Sequence, residues 1–204
     1  MQPQIVQVSS ENRFFALAFW TPSETDDELF SLWESLNTNE VIPRIQSPHR
    51  LREWLASRVL LNKLGIESLG FLPNGKPILS VGALSVSHCI ESVAIVTGSA
   101  TMGLDIQLPS EQMGVIRSKF CSTSEWSWLE HHEEALRALT IVWSAKEAIF
   151  KYWGERVVFA ADIEVLPFRC DDQSIIARYS GVHGIRDFNL WHTTLREMEI
   201  VVAI

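Results

Sequence analysis

The stretch EEALRALTIVWSAKEAIFKYW, residues 133–153, carries the clearest periodicity in the chain. Leu136, Leu139, Trp143 and Phe150 recur at helical spacing on one stripe, which predicts a long amphipathic helix. Beyond Gly154 the pattern alternates, and residues 157–166, 174–179, 188–194 and 198–204 read as strands. On the other side, residues 110–117 and 124–131 read as shorter helices. Further upstream, extended runs at 78–81, 84–87, 92–97 and 102–107 follow the turn residues Pro73-Asn74-Gly75-Lys76-Pro77. They predict an antiparallel or mixed sheet. Another helix opens on the cap Ser47-Pro48, carries Leu51, Trp54, Leu55, Leu61 and Leu64, and stops at Gly65. Ahead of it, Arg13 to Trp20 reads as a strand, and Leu29, Phe30, Trp33 and Leu36 mark an amphipathic helix. Helix then strands occurs twice, so the expected fold class is α+β in two halves, residues 1–100 and 101–204.

With 204 residues and 47% hydrophobic content, the chain can bury a core without disulfides or a structural metal. Asp plus Glu is 25 against 17 Lys plus Arg, a net charge of −8, which argues against an electrostatically driven nucleic-acid binder. Cys89, Cys121 and Cys170 are scattered and odd in number, so neither a disulfide framework nor a zinc knuckle is expected. Apolar runs such as Phe14 to Trp20 fall far short of the roughly 18 residues of a membrane span. No basic segment precedes an apolar stretch, so no secretory signal is expected. These features predict a cytoplasmic protein with neither a membrane nor a nucleic acid as partner.

Several short motifs could carry chemistry. In Gly103-Leu104-Asp105-Ile106-Gln107 the strand period puts Asp105 and Gln107 on one face, with Leu104 and Ile106 turned inward. Two oxygen donors so placed suit a hard cation such as magnesium, and equally suit an edge strand facing water. In Trp143-Ser144-Ala145-Lys146-Glu147-Ala148-Ile149-Phe150-Lys151, Glu147 and Lys151 are four apart on one helix face. That is either a surface ion pair or a carboxylate with a phosphate-binding lysine one turn on. Ser85, Ser87 and His88 stand at a strand end, and Lys76 in a turn. Arg58 lies among apolar helix positions, as a snorkelling side chain or an anion anchor. His131-His132-Glu133-Glu134 reads as a solvated helix junction, because adjacent histidines point apart.

The order of these pieces is more informative than any one of them. Arg58, Asn74-Gly-Lys-Pro, Ser85-Val-Ser-His, Gly103-Leu-Asp-Ile-Gln, Lys119 to Glu125 and the Trp143 to Lys151 run together resemble the 4′-phosphopantetheinyl transferases, in their larger, surfactin-synthetase-activating form. The resemblance implies a pseudo-dimer of two similar α+β halves, expected as a monomer, with coenzyme A between the halves. It implies transfer of phosphopantetheine from coenzyme A to a serine of an apo acyl or peptidyl carrier protein, with magnesium as cofactor. Carried over by motif, Asp105, Gln107 and Glu147 are the implied metal ligands. Gln107 departs from the family's usual Glu. Asp105, Glu147 and Lys151 are the implied catalytic set, and Arg58, Lys76, Ser87, His88, Lys146 and Lys151 the implied coenzyme A contacts. Residues 117–125 resemble the segment that opens the carrier-binding side, where Val115, Ile116 and Phe120 are expected as an apolar centre. The competing expectation is a relative that binds coenzyme A or a carrier without catalysis.

Overall fold

An edge strand that the hydropathy pattern does not announce, Gln4–Ser10 (β1), opens the chain. It pairs antiparallel with Arg13–Trp20 (β2), Ile5 lying opposite Ala18 and Val8 opposite Phe15. Ile5 and Val6 are both exposed and Val8 is buried, so the apolar residues of QIVQVSS lack the one-sided alternation by which a strand is recognised. The structure is a computed structural model that describes residues 2–10, 13–36, 40–154 and 157–204. The chain divides into two compact units, Met1–Ser99 and Ala100–Ile204.

In the first unit, Asp26–Ser35 (α1) starts on a capping box: Thr25 Oγ1 accepts from the Glu28 amide at 3.3 Å, and Glu28 accepts from the Thr25 amide at 2.8 Å. Pro48–Lys63 (α2) starts on Ser47 with Pro48 in its first turn, and Gly65 closes it at a φ of 75°. A small hairpin, Gly70–Phe71 (β3) with Pro77–Ile78 (β4), carries the Asn74-Gly75 turn. The run expected at 78–81 is thus strand only at its first residue. Ala83–Cys89 (β5) and Ser92–Gly98 (β6) complete a four-stranded antiparallel sheet in the order β1-β2-β6-β5. Leu55, Val59 and Leu60 of α2 close over Ala18, Trp20, Leu84 and Ile95 of that sheet, with Leu29 of α1 beside them.

The second unit holds Gly103–Gln107 (β7), Gln112–Ile116 (α3) running into a 3-10 turn at Arg117–Lys119, Thr123–Leu129 (α4) and Ala135–Trp153 (α5). Phe159–Asp162 (α6), Ile163–Val165 (β8), Ser174–Gly181 (β9), Gly184–Leu195 (β10) and Met198–Ala203 (β11) follow. The expected strand over 157–166 is a helical turn in its first half, where Asp162 accepts from the Val158 amide at 2.7 Å and winds the segment. The five strands form an antiparallel sheet in the order β7-β11-β10-β9-β8. Helix α5 lies on its face, burying Ala138, Ile141, Val142, Ala145 and Ile149 against Ile175, Ala177, Leu190 and Val201. The class is α+β with antiparallel sheets throughout the described residues. No helix among them is long and apolar enough to cross a membrane.

Candidate functional site

Strand β7 presents Gly103, Asp105 and Gln107 on one face, and a helix comes unusually close to it. A Cβ on Gly103 would stand 1.9 Å from the Ala148 carbonyl oxygen and 2.5 Å from the Tyr152 amide, both in α5. The missing side chain therefore lets α5 settle directly on β7. Two residues along, Asp105 is brought to the same helix, and Lys151 Nζ donates to its Oδ1 at 2.8 Å. Asp105 is only 6% exposed, so the expectation of a water-facing Asp105 opposite an inward Leu104 and Ile106 is corrected: all three are buried, and Gln107 alone is partly open.

Glu147 precedes Lys151 by one turn of α5. Burial raises its carboxyl pKa to about 7, the charge of Asp105 pushes the same way, and Lys151 opposes them. Two carboxyls in mutual repulsion beside one ammonium form a set that a divalent cation would relieve. Magnesium takes one or two carboxylates and fills its remaining positions with water and substrate phosphate. Asp105 and Glu147, with the neutral carbonyl oxygen of Gln107, fit that requirement. No group of three or more His, Cys, Asp or Glu able to hold a metal occurs among the described residues. The Gln107 amide makes only a long contact to the Leu108 carbonyl, at 3.5 Å.

Lys146 goes elsewhere. Its ammonium has no exposure and donates to the carbonyls of Phe120, Phe159 and Ile163 at 2.8, 3.0 and 2.7 Å, and to Glu125 Oε2 at 2.7 Å. Glu125 also accepts from the amides of Val165 and Ser122. The expectation that Lys146 contacts coenzyme A is therefore corrected: adjacent helix positions point about 100° apart, so turning Glu147 toward β7 sends Lys146 into the interior. Trp143 shares that structural side, edge-on to Phe120 at 5.0 Å and to Phe159 at 5.6 Å. Half of the Trp143 to Lys151 run thus anchors the helix, and half faces Asp105.

The other expected residues lie in the first unit. Arg58 donates through Nε to both oxygens of Glu40 at 2.8 Å, with Nη2 at 2.7 Å from Oε1, and stacks over Trp54 at 4.7 Å. It lines a cavity of about 680 Å³ together with Glu40, Asn62, Glu67, Ser68 and Phe71. Lys76 follows the Asn74 turn, and partial burial pulls its ammonium pKa down. Ser87 is buried and His88 half-buried, next to each other on β5. Around the 3-10 turn, Val115 is 81% exposed, whereas Phe120 is fully buried, so Phe120 cannot belong to an exposed apolar centre. Arg117 rests over the Trp126 ring at 3.6 Å.

Two features have no sequence signal. Glu40 falls in a stretch without periodicity, and nothing links it to Arg58 before the chain is folded. Arg137 of α5 gathers Glu199, Glu134, Asp171, Thr194 and the Cys170 carbonyl, with His192 completing the network on Glu199. Burial works to raise the Glu199 pKa, but hydrogen bonds from His192, Arg137 and Thr194 outweigh it and hold the carboxylate low.

No curated protein matches the chain. A family model described as the 4′-phosphopantetheinyl transferase superfamily matches residues 101–204, which hold β7, α5, Asp105, Glu147 and Lys151. With the match covering half of its length, the chain belongs to the 4′-phosphopantetheinyl transferase superfamily.

Proposed function

We propose that the protein moves the 4′-phosphopantetheine group from coenzyme A to a serine of an apo acyl or peptidyl carrier protein, with magnesium bound, and releases adenosine 3′,5′-bisphosphate. It acts as a cytoplasmic monomer of the larger, two-half type. The observation that carries this reading is the convergence of Asp105, Glu147 and Lys151 where α5 meets β7. In the reaction the serine oxygen bonds to the phosphorus on the pantetheine side, and the diphosphate P–O bond breaks. Glu147, the carboxylate beside Asp105, takes the serine proton, directly or through a water. Lys151 offsets charge that grows on the departing phosphate. Asp105 holds the Lys151 ammonium in place. Asp105, Glu147 and the Gln107 oxygen would hold the magnesium, which when bound would supply positive charge against the phosphate oxygens. Arg58, Lys76, Ser87 and His88 contact the nucleotide and its phosphates.

Mass spectrometry of apo carriers from fatty-acid, polyketide and peptide synthetases, incubated with coenzyme A and magnesium, tests the reading. The expected outcome is addition of one phosphopantetheine to the carrier serine, lost with chelator and reduced at least about a hundredfold in Glu147→Ala. A binding-only relative, which Gln107 alone favours, would bind coenzyme A and leave every carrier unmodified.

A further inference from the structure

The anion anchor expected at Arg58 already holds an anion. The Glu40 carboxylate engages Nε and Nη2 in a forked pair. Those are the donors with which a guanidinium grips phosphate. Among the described residues the remaining nitrogen, Nη1, reaches only the Ser57 hydroxyl, at 3.4 Å. Arg58 itself has little freedom to turn elsewhere, being stacked on Trp54 at 4.7 Å and 13% exposed at its side chain. Glu40 has more: its side chain is 34% exposed, and it lies in the connection between α1 and α2, outside any helix or strand. Glu67 lines the same cavity. With Glu40 in place the wall carries two carboxylates against one guanidinium, a field that repels a phosphate. With Glu40 withdrawn, one charge of each sign remains.

We propose that Glu40 is a built-in competitor for the phosphate, a latch that occupies Arg58 until the ligand displaces it and that sets the affinity of the Arg58 anchor. The inference rests on reading Arg58 as a phosphate anchor. The carboxylate and the phosphate contend for the same donors, so each lowers the other's occupancy. The Glu40 side chain is one-third exposed, so water can solvate the carboxylate as it leaves, which keeps the latch displaceable.

The test is calorimetric titration of the full chain with coenzyme A. Glu40→Gln keeps the shape and removes the charge, and Glu40→Ala removes the group. Both are expected to tighten binding roughly two- to fivefold, and Arg58→Ala to weaken it. Adding Glu40→Gln to Arg58→Ala should give no further change, because the competitor then has nothing to occupy. If Arg58→Ala binds as the wild type does, the anchor reading fails. If Arg58→Ala weakens binding but either Glu40 variant fails to tighten it, the anchor stands and the latch is overturned. Equal tightening by Glu40→Gln with and without Arg58 also overturns it, since the effect would then be general repulsion.

Discussion

At Glu147 three influences meet: burial, the negative charge of Asp105, and the opposing ammonium of Lys151, with a folded pKa of about 7 against an ordinary 4.5 as the result. A raised carboxyl pKa means that the folded protein holds this proton more tightly than the unfolded chain does. The stabilisation is complete below about pH 4.5 and is lost as the pH rises through about 7. In chelator, the wild type should therefore lose on the order of 3 kcal/mol relative to Glu147→Gln across that window. Denaturant melts of both proteins at each end of it give the difference, and a flat difference would remove the elevated pKa. Gln107 has a separate logic. It lies directly across the ladder from Glu199 on the same face of the sheet, so a Glu there would face a second carboxylate at roughly 0.5 to 1 kcal/mol cost. Gln107→Glu should accordingly melt lower than wild type in chelator, yet gain more from magnesium. Equal magnesium-induced shifts in the two proteins would mean that position 107 does not reach the metal.

At the scale of elements, the site depends on how closely α5 approaches β7. Gly103→Ala puts a methyl inside contact distance of two backbone atoms, 1.9 and 2.5 Å away, and backbone cannot swing aside as a side chain would. The expected cost is about 3 kcal/mol or more, with Lys151 drawn away from Asp105. Thermal melting checks the first effect and turnover the second; a Gly103→Ala protein with wild-type stability and rate would show that the close approach is not required. The periodicity of residues 133–153 makes α5 legible as a helix, but the stripe read there is not the face that packs on the sheet: that face is Ala138, Ile141, Val142, Ala145 and Ile149, while Leu136 and Trp143 are partly buried and Phe150 is exposed. Strand β1 is not legible, since neighbouring Ile5 and Val6 are both exposed and cancel the period. Asp105, Glu147 and Lys151 are legible only as a pattern. Their convergence needs the register of β7 under α5, which one strand and one helix do not specify separately. The direction of Lys146 is hidden for the same reason: its four acceptors come from residues 120, 125, 159 and 163, distant along the chain.

For the molecule as a whole, charge poses the question of how a partner is met. With a net charge of −8 the protein would repel a carrier that is itself acidic, so the proposed docking would rest on local features. Many of its cations are already committed: Arg137, Lys146, Lys151 and Arg178 are all ion-paired within the second unit. Arg117 and Lys119 form no ion pair among the described residues. Arg117 is half-buried over Trp126, Lys119 is exposed, and Val115 beside them is the most open large apolar residue of that segment. Two cations without an ion pair among the described residues, close in sequence to one exposed apolar side chain, suit a mixed contact, short in range and small in area. Bulk repulsion is screened beyond about 8 Å at physiological salt, whereas contacts at a surface persist. Added salt should therefore depress carrier affinity only mildly. Reversing both charges, Arg117→Glu with Lys119→Glu, should raise the KM for carrier roughly tenfold while leaving the KM for coenzyme A unchanged, because the proposed coenzyme A contacts Arg58 and Lys76 are untouched. Steady-state kinetics with each substrate varied in turn separates the two constants. Unchanged carrier kinetics would place the docking surface on another face of the protein, and a parallel rise in both constants would trace the effect to the fold.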